Sequence, residues 1–339
     1  MRRVKWLSVV IVVAAAWWWF SSDIPLPEPV STRGVVMPAP SARAATQPTH
    51  QGGAVRHQAF GADHGWGSAS GQVGRLRPAE ANPEGPMAIT TQGKQTWVLD
   101  QVNRRLVRYD QDGTSQSLPL TVREPQDLVV TEQRVYVLDR LGDRAIAVLD
   151  LVGPELARVP LPSDAPSGIT TAMMVRDGRL WIERSHESLL AIADSDGGTL
   201  LHPQTLPGRL SHDGMHLLRV RVTDARAGRV GLSWLSSEPL QLEFAREVAV
   251  DGEILYVLEA DSDRQNLIYL ALLVATGPDT NQAQVFCFDG AGALVSEQIL
   301  PSQPVAEEMF RRFAVDPAGG FVYAYADDAG YHVRRGTCR

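Results

Sequence analysis

The chain has 339 residues, of which 44% are hydrophobic and 21% charged, and its formal net charge is −7. This length and composition are ordinary for a folded protein with a large buried core. Lys5 and Lys94 are the only lysines, and the arginines form no basic stripe. An acidic chain without a basic surface argues against nucleic acid as a partner.

The N-terminus carries a targeting signal. Residues 1–5 read MRRVK, and the uncharged run WLSVVIVVAAAWWWF follows from Trp6 to Phe20. A basic flank before an apolar run predicts a cytoplasmic N-terminus and export of the remainder. The aromatic residues 17–20 fit an interfacial belt and favour an uncleaved signal anchor over residues 1–22, with a cleaved signal peptide as the alternative. We therefore expect a single-pass membrane protein whose folded part is periplasmic or otherwise extracytoplasmic.

Residues 23–59 predict a linker, because Pro, Ala, Ser and Thr dominate and no apolar period is present. The folded part is then residues 60–339. Its two cysteines are Cys287, in a predicted strand, and Cys338, beside the C-terminus. In an oxidising compartment they can form one disulfide, and the alternative is two unpaired thiols.

A four-residue pattern of aromatic, aliphatic, aliphatic and acidic residues recurs along the folded part, and we call it the tetrad. Two copies begin at Trp97 and Tyr136, looser copies begin at Trp181 and Tyr256, and a degenerate copy begins at Val322. An apolar segment and a polar turn precede each copy. The first three copies are about 40–45 residues apart, which is the length of a four-stranded propeller blade.

The repeat predicts an all-β fold, a β-propeller of six four-stranded blades. The predicted units are 84–122, 123–163, 164–212, 213–243, 244–302 and 303–339. A single four-stranded sheet cannot cover both faces, so similar sheets pack face to face until the ring closes. The last unit is short by one strand, and we expect residues 72–76 to supply it from the N-terminal side.

The first unit resembles an NHL repeat. In the segment PMAITTQGKQTWVLDQVNRRLVRYDQDG, the residues that match the repeat pattern after the tetrad are Asn103, Arg105, Leu106, Tyr109, Asp110 and Gly113. The second and third units keep part of the pattern, and the remaining units keep only the strand rhythm. The resemblance implies a six-bladed propeller with a binding groove on one face, in a family that mostly binds proteins or other ligands.

The tetrad aspartates Asp100 and Asp139 are predicted to accept hydrogen bonds from turn amides, and Arg105 to reach a carboxylate of its own blade. The loops after the tetrads are the expected binding surface, since loops on a rigid scaffold commonly carry function. These loops are predicted to share one rim. Their candidate binding residues are Gln101, Asn103, Arg104, Arg140, Asp143, His186, Glu187, Asp261 and Asp263.

No serine, histidine and aspartate series and no phosphate-binding glycine motif is present, so no catalytic residue is predicted. His212 and His216 are four positions apart, but Gly214 between them favours a loop or blade-edge role over a metal pair. No cofactor is predicted; the alternative is calcium at the acidic pairs Asp194–Asp196 and Asp261–Asp263, although the further ligands of an EF-type loop are missing. The arginine pairs, such as 311–312, are predicted to be solvated.

The resulting functional hypothesis is a membrane-tethered, exported propeller that acts as a non-catalytic scaffold for a protein or small ligand. The alternative is a metal-dependent hydrolase or lactonase with a cation at the propeller axis. Three or more carboxylates or histidines meeting at the axis, together with bound metal, would favour the alternative.

Overall fold

The computed structural model describes residues 61–163, 170–200, 202–278, 280–301 and 307–338. Over these residues the chain forms 24 β-strands in six antiparallel sheets of four strands. The predicted signal anchor and linker lie outside the described residues. None of the described segments forms a helix with the length and apolarity required to cross a bilayer.

The first three blades are each built from four consecutive strands. Blade 1 contains β2 (Ala88–Gln92), β3 (Gln95–Asp100), β4 (Arg105–Tyr109) and β5 (Ser115–Pro119). Blade 2 contains β6 (Asp127–Val130), β7 (Arg134–Asp139), β8 (Ala145–Asp150) and β9 (Glu155–Pro160). Blade 3 contains β10 (Thr170–Arg176), β11 (Arg179–Arg184), β12 (Ser188–Asp194) and β13 (Thr205–Leu206).

The last three blades include the longest strands of the ring. Blade 4 contains β14 (Arg209–Leu210), β15 (His216–Asp224), β16 (Arg229–Ser236) and β17 (Gln241–Ala249). Blade 5 contains β18 (Glu253–Ser262), β19 (Ile268–Gly277), β20 (Thr280–Phe288) and β21 (Leu294–Leu300). Blade 6 contains β22 (Phe313–Val315), β23 (Phe321–Ala326), β24 (Tyr331–Gly336) and, as its outer strand, β1 (Gly61–His64).

The six-bladed propeller predicted from the repeat is confirmed, with two corrections to its details. Ring closure does come from the N-terminal side, but the closing strand is β1, paired with β24, and not residues 72–76. Blade 4 runs from β14 to β17, beyond both ends of the predicted unit 213–243. As a result the tetrad at Tyr256 lies in the first strand of its blade, whereas those at Trp97, Tyr136 and Trp181 lie in second strands.

The hydrophobic core is divided into six clusters, one between each pair of neighbouring blades. Alternation along β3 shows how the strand supplies two of them. Trp97 and Leu99 pack against blade 2, while Val98 packs against blade 6. Trp97 is 1% exposed, and burying a side chain of this size contributes about 3 kcal/mol. Period-two alternation therefore gives each blade two apolar faces.

Cys287 of β20 and Cys338, after β24, form a disulfide with a Cα–Cα distance of 6.0 Å. Of the two alternatives that the sequence left open, the structure therefore has the bridge. It connects blade 5 to the segment that follows β24, so it attaches the C-terminal end of the chain to the neighbouring blade.

Candidate functional site: a funnel above an axial ion cluster

In each blade the turn between the first and second strands lies at one end of the ring, which we call the funnel face. A cavity of about 620 Å³ opens there, and turns from all six blades line it. Its main lining segments are residues 91–93, 129–134, 175–177 and 316–318, with His212 of blade 4 and Arg264 of blade 5. We call this cavity the funnel. Its volume is in the range of small-molecule and peptide sites.

Charged side chains meet on the propeller axis below the funnel, around a small cavity of about 60 Å³. We call this group the axial cluster. It consists of Asp127, Arg176, Glu183, Arg209, His212, Glu259, Asp261 and Arg311. Most of these residues belong to first strands or to their ends, because the first strand of each blade is the innermost. The cluster therefore contains three guanidinium groups, four carboxyl groups and one imidazole.

Arg209 joins three neighbouring blades at the axis. Its Nε donates to Oε1 of Glu183 at 3.0 Å, and its Nη1 donates to Oε1 of Glu259. All three side chains are about 5% exposed or less. Burial opposes ionisation of Glu183, but Arg209 and His186 hold its pKa well below the usual range. Burial dominates at Glu259, and its pKa is raised.

Arg311 lies opposite, just before β22. Its Nη2 donates to Oδ2 of Asp127 at 2.8 Å and to the carbonyl oxygen of Met173 at 2.9 Å. The same carboxylate oxygen accepts from the backbone N–H of Met173 at 2.9 Å. Burial raises the pKa of Asp127, and Arg311 acts against that rise. These contacts connect blades 2, 3 and 6 through the middle of the ring.

The third part of the axial cluster faces the funnel. Arg176 donates from Nη2 to Oδ2 of Asp261 at 2.9 Å, and Nδ1 of His212 lies 3.8 Å from Oδ1 of the same carboxylate. The second distance is too long for a hydrogen bond. Burial, together with the charge of Arg176, lowers the pKa of His212 to about 4. The imidazole is therefore neutral at pH 7.

The arrangement bears directly on the predicted alternative of an axial metal. Four carboxyl groups do meet at the axis, but each lies within 3.0 Å of a guanidinium nitrogen. Within the described part of the chain, no group of three or more His, Cys, Asp or Glu side chains has the geometry to hold a metal ion. A divalent cation at this position would have to displace arginine side chains from their carboxylate partners.

The predicted rim residues do not share one end of the ring. The loops after β3, β7 and β11 join second to third strands and lie on the face opposite the funnel, which we call the rim face. They carry Gln101, Asn103, Arg104, Arg140, Asp143, His186 and Glu187. The loop after β18 instead joins a first strand to a second and lies on the funnel face. Its two candidates, Asp261 and Asp263, are 8% and 2% exposed, so the sequence prediction of one common rim is wrong.

Several rim-face candidates make contacts within the protein. The Asn103 side chain donates to Asp100 and to the carbonyl of Gly67, both at 2.8 Å. Arg140 lies over the Phe310 ring, 4.6 Å from its centroid. Asp143 pairs with Arg158, and Nδ1 of His186 lies 2.9 Å from Glu183. Arg104, Asp143 and Glu187 are the exposed members of the set.

The predicted structural role of the tetrad aspartates is confirmed. Asp100 accepts from the backbone N–H of Gly74 at 3.0 Å and from Nε of Arg105 at 2.9 Å. Asp139 accepts from the backbone N–H groups of residues 124, 142 and 143 at 2.6–3.1 Å. These carboxylates fasten the loop after the second strand to the rest of the blade.

The residues that build the axial cluster were missed or misread in the sequence. Arg311 was predicted to be solvated but is 9% exposed and ion-paired. His212 was expected in a loop or at a blade edge and lies in the turn after β14, whereas His216 contacts Asp213 and stacks on Trp234. Arg176 and Arg209 stand in no recognisable motif. The feature that could have identified them is their position in or beside the first strand of a blade. The repeats of blades 3 and 4 are too degenerate for the first strands to be recognised from the sequence.

Comparison with models of known protein families and with characterised proteins yields no match for this sequence. Solved structures do match its fold. Hydrazine synthase of Kuenenia stuttgartiensis is 13% identical, with a TM-score of 0.47 over 74% of this chain and 76% of that chain. A streptogramin B lyase is 12% identical, with a TM-score of 0.43 over 76% and 95%. BamB of Moraxella catarrhalis is 12% identical, with a TM-score of 0.36 over 74% and 84%.

The fold defines the protein as a six-bladed β-propeller, with the strand order described above. The NHL family in particular is not shown by these likenesses, and the resemblance of the first unit stays an expectation. At this level of identity the solved structures carry no information on what the protein binds.

Proposed function

We propose that the protein is an exported, membrane-tethered propeller that binds a ligand or a segment of a partner protein in the funnel, without catalysis. The observation that carries this proposal is the funnel itself, about 620 Å³ in volume and lined by turns of all six blades. Loops held by a rigid ring are suited to recognition, because the ring fixes their positions before the ligand arrives.

The composition of the funnel favours binding over chemistry. Its mouth carries charges of both signs, including Arg134, Arg264, Glu132 and Asp177. Ser262 Oγ accepts from the backbone N–H of His212 at 3.3 Å, and Nδ1 of the His212 ring has no hydrogen-bond partner, so no serine, threonine or cysteine nucleophile is bonded to that nitrogen in the described part of the chain. A nucleophile within reach of a base is the minimum arrangement for covalent catalysis.

Export and tethering are supported by the N-terminal sequence and by the disulfide. The basic and apolar residues 1–20 have the pattern of a signal anchor. A disulfide between Cys287 and Cys338 fits an oxidising compartment. Fusing alkaline phosphatase to the C-terminus tests this orientation. We expect high phosphatase activity in intact cells and retention of the full chain in washed membranes, and an inactive fusion would contradict export.

A photo-crosslinking amino acid in the full-length, membrane-bound chain tests the site. We place it at Gln133 in the funnel mouth and, as the matched control, at Arg104 on the rim face, since both positions are exposed. Crosslinks from Gln133 without crosslinks from Arg104 support the funnel. Crosslinks from Arg104 alone would move the binding surface to the rim loops and reject the proposal.

A further inference from the structure

Two buried nitrogen atoms at the floor of the funnel have no hydrogen-bond partner. They are Nδ1 of His212 and Nε of Arg176. The His212 side chain is 7% exposed, and both residues line the funnel as well as the small cavity beneath it. Buried polar atoms are nearly always satisfied in native proteins. Nε of an arginine can only donate, and Nδ1 of a neutral histidine donates in one of its two tautomers, so an acceptor that enters here can satisfy both nitrogens.

Arg264 adds a positive charge at the mouth above these two nitrogens. The charged groups that act on His212 are the guanidinium groups of Arg176 and Arg264 and the carboxylate of Asp261. Asp261 is already paired with Arg176 at 2.9 Å. Arg264 is exposed at the funnel mouth and makes no ion pair within the described segments. Together, the axial cluster and Arg264 contain four guanidinium groups and four carboxyl groups, and among the described residues Arg264 is the guanidinium of this set without a carboxylate partner.

We infer that the funnel floor at Arg176 and His212 binds a carboxylate group of the ligand, with Arg264 attracting it at the mouth. The inference rests on the proposed function, since it specifies the ligand of the same funnel. A carboxylate is a monoanion with two acceptor oxygens, one for each of the two unpartnered nitrogens, and Arg264 at the mouth has no competing carboxylate partner among the described residues. A phosphate dianion would place surplus negative charge beside Asp261 and Glu259.

The dimensions agree with this division of the ligand. The small cavity of about 60 Å³ accommodates a group no larger than a carboxylate, and the funnel above it accommodates the remainder. The neutral state of His212 leaves one ring N–H free to donate, and a bound carboxylate raises the pKa of that imidazole from its lowered value of about 4.

Two matched probes test the inference on the full-length protein in detergent micelles. They are N-acetyl-alanyl-alanine, which has a free carboxylate, and its C-terminal amide. We expect calorimetry to show that the acid binds at least about tenfold more tightly, because a charge-assisted hydrogen bond is lost in the amide. Equal affinities for acid and amide, or tighter binding of inorganic phosphate, would overturn the inference.

Variants assign the binding to these residues. Arg264→Gln weakens binding of the acid by about fivefold and leaves the amide unchanged. Arg226→Gln, an exposed arginine in the β15–β16 turn at the opposite face, serves as the control and changes neither. A second readout is the His212 imidazole resonance, assigned with His212→Gln, which moves towards the protonated position when the acid binds. If the resonance does not move at a saturating concentration of the acid, the carboxylate does not bind beside His212 and the inference is rejected.

Acetate identifies the source of the carboxylate. Weaker binding of acetate than of the acetyl dipeptide indicates a peptide terminus, and equal binding indicates a small carboxylic acid. Either result supports a carboxylate site. If no carboxylate probe binds at millimolar concentration, the floor holds only water and the inference fails. The proposed function then still stands or falls separately on the crosslinks from Gln133.

Discussion

The guanidinium of Arg311 lies 2.8 Å from the carboxylate of Asp127, 184 positions away in the sequence, and connects blade 6 to blade 2 past the intervening blade 1. Asp127 is fully buried, so its charge depends on this contact and on two backbone amides. The pair is one of two ion pairs among the described residues that link blades which are not neighbours. Arg176 of blade 3 and Asp261 of blade 5 form another.

Replacing Arg311 with methionine leaves the Asp127 carboxylate buried without its counter-charge. We expect the free energy of unfolding to fall by about 3–5 kcal/mol at pH 8, measured by chemical denaturation. Arg311 acts to lower the pKa of Asp127, so that pKa rises further in the variant. The carboxyl then folds protonated at acidic pH, and the loss is smaller at pH 5. The double variant Asp127→Asn, Arg311→Met is the control and recovers part of the loss. A loss independent of pH would contradict this account.

His332 makes the closure of the ring sensitive to pH. Its Nδ1 lies 2.8 Å from Asp63 of β1, and its Nε2 lies 3.0 Å from Asp327. Although burial opposes the charged form, these two carboxylates raise the pKa of His332 above its usual value of 6.5. The stabilisation is therefore complete below pH 6.5 and is lost as the pH rises through the raised pKa.

The His332→Gln variant checks this sign. We expect it to be less stable than the parent protein at pH 6 and nearly equal to it at pH 9, in denaturation curves at both pH values. His216→Gln is a control, since His216 also contacts a carboxylate but does not touch the closing strand. A difference that grows towards pH 9 would show that the charge of His332 is not responsible.

The closing strand β1 is expected to stabilise the whole ring. Deleting residues 61–64 from the full chain leaves β24 as an open edge and lowers the midpoint of thermal unfolding by several degrees or more. Deleting residues 57–60 is the matched control and should have little effect. Equal effects of the two deletions would mean that pairing with β24 contributes nothing.

Removing the disulfide tests the attachment of the C-terminus. With Cys287 and Cys338 both replaced by alanine, a closed loop of 51 residues opens, and we expect a loss of about 2–4 kcal/mol. The same loss should appear when the parent protein is unfolded in the presence of a reductant. If reductant leaves the unfolding curve unchanged, the two sulfurs are not bonded in the folded protein.

Metal removal distinguishes the axial cluster from a cation site. Because guanidinium groups accompany all four axial carboxyls, we expect EDTA to leave the thermal unfolding midpoint unchanged. Elemental analysis of the purified protein should find less than stoichiometric calcium and zinc. A stoichiometric ion that is lost together with stability would restore the metal-dependent alternative.

The sequence was sufficient to predict the blade architecture because that architecture depends on a local period. Alternation at Trp97, Val98 and Leu99 supplies two neighbouring cores, and any strand with this alternation can do the same. The same property explains the error at Tyr256. Alternation does not distinguish a first strand from a second. The sequence pattern therefore assigns part of β17, the outer strand of blade 4, to the first strand of blade 5 and the tetrad at Tyr256 to the second strand. Tyr256 is 67% exposed, whereas Trp97, at the equivalent position of its tetrad, is buried.

The axial cluster could not be predicted because its members share no local pattern. Arg311 and Asp127 meet only when the ring has closed, and nothing near either residue in the sequence differs from a solvated charge. The funnel was missed for a related reason. Its lining comes from short first-to-second turns, which the sequence marks only as turns, while the longer loops after the tetrads drew attention to the opposite face.

The contacts across the axis bear on how the ring comes apart. In an open repeat array each unit touches only its neighbours, so units can fray one at a time from an end. Here Arg311 and Arg176 each bind a carboxylate two blades away. Detaching one blade would leave a buried charge in another blade without its partner, which raises the free energy of a partly unfolded ring. The propeller should therefore unfold in a single cooperative transition. A destabilising substitution in one blade should also lower the stability of the blade on the opposite side of the ring.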